Sequence, residues 1–162
     1  MKQKLLLICI VLIGIGCKNK KQIPDVSGIQ IFLKTERFEK DFFAVDTLHP
    51  DAALQALSTA HPGFTQDYLF NILGTSPDSA AKDVPAFIRS YESMAKLAGQ
   101  KFKDFSNIEA QVKHGLQFVH YYFPGYKLPV KLVTFIGPIN SYGNIITTDA
   151  LAIGLKSTTV KD

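Results

Sequence analysis

The order of hydrophobic periods along the chain is the strongest constraint on its fold. Ile29, Ile31 and Leu33 share one parity, which predicts a half-buried strand over 29–35. Helical patterns then run as far as Phe123. Strand patterns return only at 130–136, 144–148 and 150–155. An early strand separated from late ones by a block of helices must find its partners across the chain. The expected class is α+β, with a mainly helical N-terminal half and a small antiparallel or mixed sheet formed by the early strand and the late strands.

Within the helical block, Arg37 to Phe43 predicts a short helical turn that packs Phe38 and Phe42 inward. Asp51 to Ala60 carries Leu54, Leu57 and several alanines, and His61-Pro62-Gly63 ends it. Phe64 to Leu73 reads as helix stopped by Gly74. A longer helix covers 78–98, with Pro85 as its expected first turn and Gly99 as its stop. Its inward face is Val84, Ile88, Tyr91, Ala95 and Ala98. Ser106 and Glu109 have capping-box spacing, and the helix after them aligns Ile108, Val112, Leu116, Val119 and Phe123 before Pro124-Gly125. The stretch 137–143 is a turn-rich connector. Ala150 to Leu155 is apolar and is expected to need a strand partner from beyond the terminus.

The first residues have a different character. Lys2 and Lys4 precede a nine-residue apolar run, Leu5 to Ile13, which has the length of a signal-peptide core and not of a membrane span. Gly14-Ile15-Gly16-Cys17 follows, resembling a bacterial lipobox with Gly at −3 and Ile at −2 in place of the usual Leu and Ala or Ser. The expected organisation is a lipoprotein signal peptide over 1–16, the lipidated Cys17 and a linker over 17–28, and a single α+β domain over 29–162. The only cysteines are Cys9 and Cys17, so the exported body would hold no thiol for a disulfide or a zinc site. Its fold must then rest on its core.

The formal charge of +4 is misleading. Lys2, Lys4, Lys18, Lys20 and Lys21 all lie in the first 21 residues, leaving 13 basic against 14 acidic residues in the body. A nucleic-acid-binding domain needs a basic footprint on its folded surface, and this composition argues against one.

Chemistry-bearing patterns are sparse. His49, His61, His114 and His120 form no His-Glu-x-x-His pair, and the last two are six residues apart, on different sides of a helix. His49 and His61 fall at helix boundaries, where a polar ring caps or solvates. Ser141 lies in a polar turn with no base beside it, Asp149 reads as a turn residue, and Glu109 as a helix cap. No metal ligand set, cofactor loop or catalytic group is expected. Most of the many Phe and Tyr residues are expected in the core, with some left for an interface with a partner.

The ordered set of Arg37-Phe38-Glu39-Lys40-Asp41-Phe42-Phe43, Pro62-Gly63-Phe64, Asp67-Tyr68, Asn71-Ile72-Leu73-Gly74, Tyr122-Phe123-Pro124, Phe135-Ile136 and 146–155 resembles the gliding motility lipoprotein GldB family of the Bacteroidetes. The resemblance implies a non-enzymatic accessory protein, lipid-anchored at the outer membrane and acting by interaction with gliding or secretion machinery. Cys17 is the residue it carries over, as the lipid site. Lys18-Asn19-Lys20-Lys21 lacks the acidic residues of surface-exported lipoproteins in this phylum, which points to the periplasmic face. The polar tail from Lys156 departs from the family's continuation, which implies a truncated member, incomplete at its C-terminus. An alternative is an exported zincin-like or other hydrolase domain whose site is missing or degenerate here.

Overall fold

The computed structural model describes residues 23–147 and 150–156. Strand β1 (Lys34–Glu36) leads into α1 (Phe38–Phe43) and α2 (Pro50–Ala60). Helix α3 begins at Phe64–Gln66 and widens into a π-helical stretch, Asp67–Ile72. Then come α4 (Ala80–Lys101), α5 (Ser106–Tyr122), β2 (Lys131–Phe135), β3 (Asn144–Ile146) and β4 (Ala150–Gly154). The fold is α+β, with one mixed sheet in the order β1-β2-β4-β3. No described helix is long and apolar enough to cross a membrane.

β1 runs parallel to β2, with Thr35 opposite Leu132, and β2 runs parallel to β4, with Val133 opposite Ala152. β3 is antiparallel to β4, with Ile145 opposite Ala152. The chain thus passes from β2 to the far edge and turns back to place β4 between β2 and β3. This overturns the expectation that 150–155 must wait for a partner from beyond the terminus, because β4 is hydrogen-bonded on both sides.

Side-chain alternation sends the two faces of β2 and β4 into two core clusters. Val133, Phe135, Ala150 and Ala152 meet Phe38, Phe42, Phe64, Tyr68 and Val84. Leu132, Ile136, Leu151 and Ile153 meet Leu33, Ala98, Phe105 and Leu116. Helix α4 serves both clusters, through Val84 and Ile88 early and Ala95 and Ala98 late. Its inward face is the one expected, but its ends are not. It starts five residues before Pro85, where Ala80 N bonds the Ser76 carbonyl at 2.9 Å, and it passes through Gly99 to Lys101. Gly74, at φ +72°, is the stop after α3. β1 is shorter than the strand pattern over 29–35, though Leu33 is buried and Ile29 and Ile31 are half-buried on the expected parity. Val26, inside the expected linker, is 2% exposed.

Candidate functional site

Charged side chains crowd the junction of β1, α1 and α2. Glu36 ends β1. Arg37 precedes α1, and Glu39 and Asp41 lie on it. His61 closes α2, and Thr134 faces them from β2. The Glu39 carboxylate is almost fully buried. Its Oε1 lies 2.7 Å from both Nε and Nη2 of Arg37, and its Oε2 accepts from the Thr134 hydroxyl. Arg37 Nη1 donates to the Phe102 carbonyl at 2.8 Å, and its guanidinium stands 5.3 Å from the Phe105 ring centroid. This one arginine therefore joins β1 and α1 to the end of α4.

His61 is buried, with its ring edge-on to Phe38 at 5.2 Å. Nδ1 is 3.3 Å from Glu36 Oε2 and Nε2 is 2.7 Å from Asp41 Oδ2. The expectation of a solvated or capping ring fails here, because packing of α1 over the end of α2 encloses it. Each ring nitrogen thus faces a carboxylate oxygen inside the fold. The arrangement holds β1, α1 and α2 together.

Burial works to raise the Glu36 carboxyl, but hydrogen bonds from Lys34 and His61 and the charges of Lys131 and Lys34 outweigh it and hold it below its ordinary 4.5. Glu36 therefore stabilises the fold fully above the ordinary carboxylate range, and that contribution fades as pH falls through its lowered folded value. Glu36→Gln should unfold more easily than the parent at neutral pH. The gap should close on acidification below about pH 4, as read by urea midpoints across a pH series.

Other expected positions fall apart in space. His49 precedes α2, with Nδ1 2.8 Å from Asp46, on the exposed surface. His114 pairs with Gln117 and lies edge-on to Phe118, while His120 lines a hollow with Tyr126. Among the described residues no three His, Cys, Asp or Glu are placed to hold a metal ion. The Ser141 hydroxyl is buried against Gly137 in the connector turn. Cys17 and Asp149 lie outside the described residues. The Ser106–Glu109 capping box does not form. Asp104 accepts from Ser106 N at 2.9 Å instead, and Glu109 reaches Lys113 and Thr35, each at 2.6 Å. These two bonds hold the Glu109 carboxyl below its ordinary value.

The Tyr68 phenol, pushed well up by burial and by Tyr91, stays protonated and donates to the Ile136 carbonyl. A cavity of about 370 Å³ separates α3 from β3, lined by Phe64, Asp67, Asn71, Ile145, Ile146 and Thr147. Asp67 and Asn71 bond each other at 3.3 Å across its polar side.

The buried cluster had a sequence signal. Glu39 lies three residues before Phe42, so a helix over this run puts both on one face. A carboxylate on an aromatic face needs a buried partner, and of the flanking cations Arg37 and Lys40 it is Arg37 that supplies it.

Fold and cluster together define a small α+β domain in which the charged cluster of Glu36, Arg37, Glu39, Asp41 and His61 holds its elements in place. The chain belongs to the gliding motility protein GldB family, whose model matches residues 19–157. That is a family of motility proteins and not a known enzyme family. No curated protein and no solved structure matches the chain significantly.

Proposed function

We propose that this chain is a lipid-anchored accessory protein of gliding motility, held at the outer membrane through Cys17 and working by protein interaction. The observation that supports it most is the family match, which runs from the residues just after Cys17 through β4. In this reading residues 1–16 are a signal peptide, 17–28 carry the lipid and linker, and 29–162 form the domain. The partners are components of the gliding or secretion machinery. The basic Lys18-Asn19-Lys20-Lys21 stretch favours the periplasmic face of the outer membrane.

Acyl chains contribute about 0.8 kcal/mol per buried CH₂, and more than one chain is needed for stable anchoring. Cys17→Ser should therefore move the protein from the membrane to the soluble fraction and fail to restore spreading to a deletion strain. A Cys17→Ser protein that stays with the outer membrane would refute the anchor. A deletion strain that spreads normally would refute the motility role.

A further inference from the structure

Scattered exposed apolar residues are ordinary, but a contiguous patch marks an interaction surface. Phe32 is 81% exposed, and Val130, Tyr126 and Phe123 are each half exposed or more. Phe32, Val130 and Tyr126 line one shallow hollow of about 310 Å³. Phe32 and Val130 also border a second hollow, of about 350 Å³, that ends on Lys34 and Lys113, which pair with Glu36 and Glu109, so the charge facing the lipid is left to Lys127 and the tether. Phe123 lies three residues before Tyr126 in the turn after α5, where Tyr126 N donates to its carbonyl at 2.9 Å.

Charge and tether length argue for one occupant. From Ala110 to Thr147 the chain has no Asp or Glu, and Lys127 follows Tyr126 directly in the aromatic turn. Asp25, on the segment leading to Phe32, accepts from its own Ser27 N at 2.9 Å. Gln117 donates to the Ile29 carbonyl at 2.7 Å and fixes that segment along α5. Six residues lead from Cys17 to Ile23, at most about 20 Å when fully extended, and they include Lys18, Lys20 and Lys21. Aromatic rings with an apolar body and lysines beside them suit the headgroup level of an anionic bilayer.

We propose that the Phe32–Val130–Tyr126 face, with Phe123 at its end, beds on the lipid surface beside the anchor and sets the orientation of the domain on the membrane. This rests on the lipid-anchor reading of Cys17. The test uses the acylated full chain, whose body holds no other thiol. Phe32→Cys, Phe123→Cys and Leu48→Cys each receive a fluorophore. Leu48 is 85% exposed and lies outside both hollows.

The proteins are reconstituted into phosphatidylethanolamine–phosphatidylglycerol vesicles with a nitroxide at headgroup level. Quenching several-fold stronger at positions 32 and 123 than at 48 is expected. Equal quenching at all three, in protein that still floats with the vesicles, overturns the lipid face and leaves the anchor standing. Protein that does not float overturns both. Labels unquenched in vesicles but shielded from aqueous iodide in native envelopes assign the face to a protein partner and overturn the proposal.

Discussion

Phe38→Ala is expected to destabilise the domain by about 3–5 kcal/mol, measured as a shift in urea midpoint. Phe38 is fully buried, with ring centroids 4.8 Å from Tyr68, 4.9 Å from Phe64 and 5.8 Å from Phe42. Its ring also stands against His61. Truncation removes the transfer energy of the ring and leaves a cavity whose walls are themselves aromatic and slow to collapse. A small domain has only about 5–15 kcal/mol to lose. Phe70→Ala, at a position 38% exposed on the neighbouring α3, is the control and should cost about 1 kcal/mol or less. A Phe38→Ala loss no larger than that of Phe70→Ala would mean that Phe38 does not organise this core.

The inward-facing residues of the helices were legible because they follow from local spacing. Val84, Ile88 and Ala98 repeat at intervals that a helix alone can align, and all three are buried. The helix ends were less legible. Ser76 and Ser79 bond each other at 3.1 Å and bring the start of α4 forward of Pro85. Glu109 had the spacing of a local cap, yet Lys113 and Thr35 offered it stronger partners, one of them on β1. The place of β4 was illegible for the same reason. An apolar run does not state whether it is central or at an edge, since its neighbours are chosen by topology and not by spacing. His61 followed suit: its burial depends on Phe38 and its partners on Glu36 and Asp41, all brought to it by tertiary packing.

The second large effect is expected at Glu39. Glu39→Ala should cost about 3–5 kcal/mol, the range for removing one partner of a buried ion pair. The loss has two parts. The Thr134 hydroxyl gives up its acceptor on Glu39, leaving the more distant Glu36 carbonyl at 3.5 Å. Arg37, with its side chain only 16% exposed, keeps the Phe102 carbonyl and the Phe105 ring but loses its counter-charge. Most of the cost is therefore the stranded guanidinium and not the worth of the pair itself. The double variant Arg37→Met/Glu39→Met separates the two, because an apolar pair of similar length needs no counter-charge in that site. It should lose far less stability than the sum of the single variants Arg37→Met and Glu39→Met, which a double-mutant cycle built on those substitutions reads as coupling between the two side chains. A double variant as unstable as the sum of its singles would show that Arg37 and Glu39 act independently, and that their pairing does not hold α1 to the end of α4.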